Sequence, residues 1–122
     1  MKKELRIKKS DEIERVMKKG FSKANRTFIV YKYQNGNNNN YRIAISASKK
    51  LGNAVTRNLI KRQMRAALKQ NDDILENGYD YFIIARPNML EIDFIQINKQ
   101  LKHVFKLFSQ PTQQRKKSSN QK

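Results

Sequence analysis

The sequence predicts a small α+β domain, a two-layer sandwich in which helices pack against a mixed sheet. Three segments have apolar residues at helical spacing, and three short segments are rich in β-branched and aromatic residues, in the order α-β-β-α-β-α. A chain of 122 residues also suits one domain with a modest core. We expect this domain to span residues 1–109, and the polar and basic residues 110–122 to form a disordered tail.

The first predicted helix begins at Ser10 and ends near Gly20. Its residues Ile13, Val16 and Met17 have the i, i+3, i+4 spacing that places them on one helical face. Acidic residues follow Ser10, and a glycine after the last turn is typical of a helix C-terminus. We therefore expect a short helix with one apolar face.

Three strands are predicted over residues 27–34, 41–47 and 79–85. An Asn-rich turn joins the first two, and the third is a nearly continuous apolar run, which is typical of a strand covered on both faces. In the second strand, alternation places small or polar side chains on a face that can stay open to a ligand. These side chains are Arg42, Ala44 and Ser46.

Charge is distributed unevenly along the chain. The 27 Lys and Arg residues outnumber the 10 Asp and Glu residues, which gives a net charge of +17 and a pI near 10.3. Between Arg15 and Asn71 there are fourteen basic residues and no acidic residue. Because a region of one sign repels itself, this pattern favours a polyanionic partner, either nucleic acid or an anionic membrane.

The predicted middle helix, over residues 54–70, places this charge on one face. Its cations recur at i, i+4 and i+8, while Ile60, Met64 and Ala67 point toward a core. The helix contains no carboxylate that could neutralise them, and phosphate is a suitable partner because each guanidinium can bind two phosphate oxygens. With the basic loop that precedes it, this face carries Lys49, Lys50, Arg57, Asn58, Lys61, Arg62, Arg65 and Lys69. A last helix is predicted over residues 91–108 from its apolar stripe.

The start of the middle helix closely resembles the signature of the bacterial ribonuclease P protein family. The segment from Lys50 to Arg65 reads KLGNAVTRNLIKRQMR, and it meets all ten specified positions of the pattern K-x-G-N-A-V-x-R-N-x-x-K-R-x-x-R. The sequence is also similar to the family at the lysine pair before Gly20, at residues 24–26, at Tyr31, at SASKK over residues 46–50 and at IIAR over residues 83–86.

This resemblance implies a protein subunit of ribonuclease P, the ribonucleoprotein endoribonuclease that removes 5′ leaders from precursor tRNA. In the family the catalytic centre and its Mg²⁺ lie mainly in the RNA, so we expect no catalytic residue, metal site or cofactor in the protein. The partners it implies are the catalytic RNA and the precursor tRNA. The implied fold resembles a ribosomal-protein domain with a left-handed β-α-β crossover, which departs from the usual right-handed rule.

The resemblance also adds residues to the predicted site. It places Asn53 on the RNA-facing surface of the middle helix, and it implies a cleft for the single-stranded leader between the first helix and the sheet. Relatives often carry aromatic side chains where this chain has Ile13 and Met17, so base stacking there is replaced by aliphatic and thioether contact. The predicted cleft residues are Ile13, Met17, Tyr31, Arg42 and Ser46.

Three other classes of function are less consistent with the sequence. A nuclease acting alone needs clustered carboxylates or a histidine pair, but His103 is the single histidine, and Asp72 and Asp73 are adjacent in a loop. A ribosomal or structural RNA-binding protein is separated from our interpretation only by the signature. A membrane-surface helix would need an insertion face of large apolar residues, which the middle helix lacks. We expect neither DNA nor a membrane as a partner.

The expected compartment follows from segments that the sequence lacks. The absence of cysteine excludes a disulfide framework but does not indicate a compartment. No apolar run follows the basic N-terminus, and no stretch approaches the roughly 20 apolar residues of a membrane span. We therefore expect a soluble, cytoplasmic protein.

Overall fold

The structure, a computed structural model, describes residues 5–36 and 40–109. It contains three α-helices and four strands within these ranges. In chain order these are α1 (Ser10–Lys19), β1 (Phe21–Ala24), β2 (Phe28–Gln34), β3 (Arg42–Ala47), α2 (Ala54–Gln70), β4 (Tyr79–Ala85) and α3 (Phe94–Ser109). Short 3₁₀ turns lie at Lys49–Leu51, Asp72–Ile74 and Pro87–Glu91. The predicted tail over residues 110–122 lies outside the described residues.

The four strands form one mixed sheet in the order β1-β2-β4-β3. Strand β2 is antiparallel to both β1 and β4, whereas β3 is parallel to β4. The predicted mixed sheet and its parallel pair are therefore confirmed. The left-handed sense of the crossover through α2 stays a prediction.

The main core lies between the sheet and helices α2 and α3. Alternate residues of every central strand point into it, because successive side chains of a strand point to opposite faces. Its largest fully buried side chains include Phe28, Tyr81 and Ile83 from the strands, and Met64 and Leu101 from the helices. This packing fixes α2 against the sheet and leaves the opposite side of that helix free.

Helix α1 lies against the second face of the sheet, so this sandwich also has partial cover on its other side. Val16 of α1 is fully buried there, beside Ile7, Ala44 and Phe82. A helix of ten residues is marginal by itself in water, so these contacts determine where α1 lies.

Three local features differ from the sequence prediction. Strand β1 was not predicted, because all four of its side chains are exposed and it has no apolar alternation. Helix α3 begins at Phe94, after a 3₁₀ turn that starts at Pro87, and the carboxylate of Asp93 accepts a hydrogen bond from the Gln96 N–H at 2.9 Å. Gly20 has an extended backbone instead of the left-handed conformation expected after a helix.

The need for glycine at position 20 comes from a close approach between backbones. A Cβ atom at this position would lie 2.6 Å from the carbonyl oxygens of both Lys32 and Val16. Any side chain would therefore force α1 and β2 apart.

In the described part of the chain, no helix is both long enough and apolar enough to cross a membrane.

Candidate RNA interface

The loop before α2 is held in place by three local features. Leu51 is almost fully buried, and Gly52 has φ 138°, a conformation that residues with side chains rarely adopt. Asn53 then caps the helix, because its side-chain oxygen accepts a hydrogen bond from the Thr56 N–H at 3.0 Å. As a result, Lys49 and Lys50 are exposed beside the N-terminus of α2, where free N–H groups favour anions.

The polar face of α2 consists of two parallel rows. Arg57, Lys61 and Arg65 are half-buried and form one row, whereas Asn58, Arg62 and Lys69 are exposed. The opposite side of the helix is buried in the core through Ile60, Met64, Ala67 and Leu68. The structure thus places every predicted cation of α2 on its solvent-facing side.

These cations have no carboxylate partner in the described residues. The ion pairs found there join Lys18 to Glu14, Lys32 to Glu76, and Arg42 to both Glu12 and Asp80. On α2, the Arg57 Nε donates a 3.3 Å hydrogen bond to the Gly52 carbonyl, which orients this side chain along the helix. The surface therefore keeps its charge available for an anionic ligand.

The predicted leader cleft lies between α1 and the second face of the sheet. Ile13 and Tyr31 are half-buried and belong to the same apolar cluster around Val16. The Tyr31 ring is stacked on Phe82, with ring centroids 6.2 Å apart and an interplanar angle of 25°. Met17 is 40% exposed on α1. The structure thus brings Ile13 and Tyr31 together and leaves Met17 accessible.

Arg42 is already engaged within the protein. Its Nε and Nη2 donate hydrogen bonds of 3.0 and 2.7 Å to the two oxygens of Asp80, and its Nη1 donates one of 3.1 Å to Glu12 of α1. Asp80 is almost fully buried and also accepts a 2.7 Å bond from the Asn35 side chain. The hydrogen bonds to Asp80 raise the pKa of the Arg42 guanidinium above its usual value. Arg42 therefore joins α1 to the sheet.

Ser46 lies on the same face of the sheet as Tyr31 and Phe82, in the next row of paired residues. Ser46 lies opposite Ile84 of β4, and Ile84 lies opposite Ile29 of β2. All three are half-buried. They extend the cleft surface beyond the Tyr31 and Phe82 stack, and only Tyr31, Arg42 and Ser46 of these sheet residues were predicted from the sequence.

Sequence reasoning missed two residues with structural roles, Asp80, which binds Arg42, and Asn25, which lies before β2. Asp80 could have been recognised, since an acid within an apolar strand must have a buried partner. Asn25 connects the start of β2 to α3, because its oxygen accepts from the Thr27 and Phe28 N–H groups and its nitrogen donates to the Gln100 carbonyl. No local pattern indicates that second role.

No metal-binding cluster occurs among the described residues. In those ranges, no group of three or more His, Cys, Asp or Glu side chains could hold a metal ion. His103 is exposed, and its Nδ1 lies 3.2 Å from the Asn25 amide nitrogen. The chemistry that this surface offers is anion binding and apolar contact.

Comparison with known proteins shows the family to which this chain is related. The Ribonuclease P family model matches residues 1–109. The ribonuclease P protein component of Bacillus cereus (strain G9842) is 48% identical over 106 residues, which cover 87% of this chain and 92% of that protein.

Solved structures of two bacterial RNase P proteins are also similar. A Staphylococcus aureus RNase P protein mutant, described as having defective mRNA degradation activity, has a TM-score of 0.80 at 42% identity and covers 88% of this chain and 90% of its own. The Thermotoga maritima RNase P protein has a TM-score of 0.75 at 26% identity, with coverage of 84% and 96%. The chain therefore belongs to the ribonuclease P protein family, whose members are the protein components of a tRNA-processing endoribonuclease.

Proposed function

We propose that this chain binds the catalytic RNA of ribonuclease P through the polar face of α2, and the 5′ leader of precursor tRNA in the cleft between α1 and the sheet. By holding both RNAs it aids removal of the leader and formation of the mature tRNA 5′ end. The observation that carries the proposal is the set of α2 cations, which lie on a rigid helix without a carboxylate partner in the described residues.

The two binding surfaces have different chemistry. The α2 face offers guanidinium and ammonium groups, which bind phosphate oxygens irrespective of sequence. The cleft offers Tyr31 and aliphatic side chains, which can contact unstacked bases of a single strand. This difference supports a division in which α2 binds the folded catalytic RNA and the cleft binds the unpaired leader.

The proposal assigns the cleavage chemistry to the RNA. The described residues provide no carboxylate cluster for a metal and no histidine pair for proton transfer. Mg²⁺ would be bound mainly by the catalytic RNA. The protein would lower the Mg²⁺ requirement, because its cations reduce repulsion between RNA phosphates.

The salt dependence of binding tests the role of α2. The affinity for the catalytic RNA should fall steeply as salt rises, and Arg62→Ala should reduce the slope of log K against log salt by about one unit. Lys99→Ala removes an equally exposed cation from α3 and should leave the slope unchanged. A slope that responds equally to both variants would show that net charge, and not the α2 surface, determines binding.

Leader length tests the role of the cleft. The holoenzyme should gain more from the protein on precursors with leaders of several nucleotides than on those with very short leaders, and Tyr31→Ala should reduce this difference. Because the α2 face is a separate surface, affinity for the catalytic RNA should change little. The folded fraction of the variant is measured by circular dichroism, since the substitution also removes the stack on Phe82. Equal enhancement for long and short leaders would contradict the cleft assignment.

The RNA-free protein tests where catalysis lies. Incubated with precursor tRNA and Mg²⁺ but without the catalytic RNA, the protein should give no specific product. Specific 5′ cleavage of precursor tRNA by RNA-free protein would overturn the proposal.

A further inference from the structure

A small cavity lies at the open edge of the sheet, between the two proposed RNA surfaces. Its volume is about 160 Å³, and its floor is formed by residues 43–45 of β3. Ile7 and Ile13 form the apolar wall on the α1 side. Two arginines also line the cavity: Arg6 from the N-terminal arm, which is residues 5–9 before α1, and Arg65 from α2. Among the residues that the structure describes, no acidic side chain lines this cavity.

The edge of β3 is only partly covered by the N-terminal arm. Arg6 pairs with Ile43 as an isolated parallel bridge, and the Ile7 N–H donates a 2.8 Å hydrogen bond to the Ile43 carbonyl. The chain then leaves the edge and enters α1 at Ser10. Because backbone groups alternate in direction along a strand, the N–H and C=O of Ile45 point to this same edge. Outside the sheet, none of the described backbone groups bonds to them.

The two arginines come from separate elements and have no bound partner within the described ranges. Neither Arg6 nor Arg65 takes part in an ion pair or a side-chain hydrogen bond there. Arg65 is half-buried, so its guanidinium is held near the rim by the packing of α2. Two cations beside an apolar cavity suit a ligand that has both a flat apolar part and an anionic group.

We propose that this edge cavity binds one unpaired nucleotide of RNA. The base would lie against Ile7 and Ile13, its polar edge would reach the Ile45 backbone, and its phosphate would lie between Arg6 and Arg65. The cavity volume is suitable, because an apolar cavity of about 150 Å³ accommodates a benzene ring. A pyrimidine ring is similar in size to benzene. The inference rests on the proposed function and adds a nucleotide site between the α2 face and the leader cleft.

A peptide strand is the main competing ligand for an open sheet edge. An added strand would also bond to the Ile45 backbone, as in other cases of strand addition. RNA is favoured here because each nucleotide joins a flat ring to an anionic phosphate, which matches an apolar cavity with two arginines in its lining. A neutral peptide strand would leave both arginines without an anion. Ile13 also belongs to the leader cleft, so an unpaired RNA strand in that cleft could extend into this cavity.

Nuclear magnetic resonance of the isotopically labelled full chain can test this proposal. Hexauridylate RNA is titrated as the probe, and inorganic phosphate and a neutral strand-forming peptide of alternating Thr and Val are titrated separately. With the RNA, the Ile45 amide signal and the Ile7 and Ile13 methyl signals should shift together and saturate. Inorganic phosphate should leave the Ile45 amide signal unchanged, and the peptide should cause no saturable shift.

Substitutions give a second readout on the same probe. Arg65→Gln and Arg6→Gln should each weaken hexauridylate binding about tenfold, the loss of one charge-assisted contact to phosphate. Lys99→Gln removes the same charge from α3, does not line the cavity, and should change the dissociation constant less than twofold. All three replaced side chains are accessible, so the folded state should be retained.

Three outcomes would overturn the inference. They are an unchanged Ile45 signal with RNA, the same shifts with inorganic phosphate alone, or tighter binding of the peptide than of the RNA. The same protein samples are also tested for salt-dependent binding of the catalytic RNA. If that binding is present while Ile45 does not respond, the edge site fails and the proposed function stands; if that binding is absent, the proposed function itself fails.

Discussion

Replacement of Arg42 by alanine should destabilise the fold more than replacement of any α2 cation. Arg42 donates three hydrogen bonds to two carboxylates, and the Asp80 side chain is only 3% exposed. Without Arg42, the buried Asp80 carboxylate retains the hydrogen bond from the Asn35 side chain but loses both bonds from the guanidinium. Breaking a buried pair from one side costs about 3–5 kcal/mol, and we expect the lower end, about 3 kcal/mol, because the Arg42 side chain is 30% exposed.

Urea denaturation of a small set of variants measures this effect. Asp80→Asn removes the buried charge, so the double variant with Arg42→Ala should lose less free energy of unfolding than the sum of the single variants. Glu12→Gln weakens only the partly exposed arm of the network and should cost about 0.5–1 kcal/mol. Arg57→Ala serves as the matched surface control and should change the free energy of unfolding by less than about 0.5 kcal/mol.

A small effect of Arg42→Ala would refute this reasoning. If the variant unfolds within about 0.5 kcal/mol of the parent chain, Asp80 must be satisfied in another way, for example by water entering the site. Additive losses in the double variant would show that the Arg42 and Asp80 side chains do not depend on each other. Either result would mean that Arg42 is available to bind the leader, as the sequence predicts.

Two further predictions concern the fold. Gly20→Ala should destabilise the protein by about 2 kcal/mol, because the new methyl group would lie 2.6 Å from two carbonyl oxygens. Thermal unfolding measures this loss. An unchanged melting temperature would contradict the close approach of α1 and β2. Burial raises the pKa of Tyr81 to about 12. The folded state therefore holds this proton more tightly than the unfolded state. The contribution of Tyr81 to stability should thus be fully present below about pH 10 and be lost between about pH 10 and 12. Tyr81→Phe should remove that part of the fall in urea denaturation, and a variant with the parent pH profile would contradict it.

The helix α2 and the strand β4 could be predicted from the sequence with their correct bounds. Both have strong local signals: Gly52 and Asn53 define the start of α2, and β4 is a continuous apolar run with a proline soon after its end. The face of α2 could also be predicted, because its charges and its apolar residues separate at helical spacing. For this reason the sequence was sufficient to predict which side of α2 faces solvent; the RNA-binding role of that side stays a prediction.

The parts that could not be predicted depend on pairing between distant residues. Strand β1 is held by its ladder with β2 and has no apolar face of its own. Arg42 looks like a free cation in the sequence, since its partners Glu12 and Asp80 lie 30 and 38 residues away. The edge cavity forms where the N-terminal arm, α1, β3 and α2 come together in the fold, and no local sequence pattern predicts that arrangement.

The position of α1 connects the stability of the fold with the proposed leader cleft. This helix is short, and it is attached to the sheet through buried Val16, through the Glu12 and Arg42 ion pair, and by the arm that pairs with β3 just before it. All three contacts lie on the second face of the sheet or at its edge, whereas α2 is held by the main core. Loosening α1 would therefore widen the cleft and the edge cavity without displacing the α2 cations. In the proposed function, the affinity for the leader can thus change without a change in the affinity for the catalytic RNA.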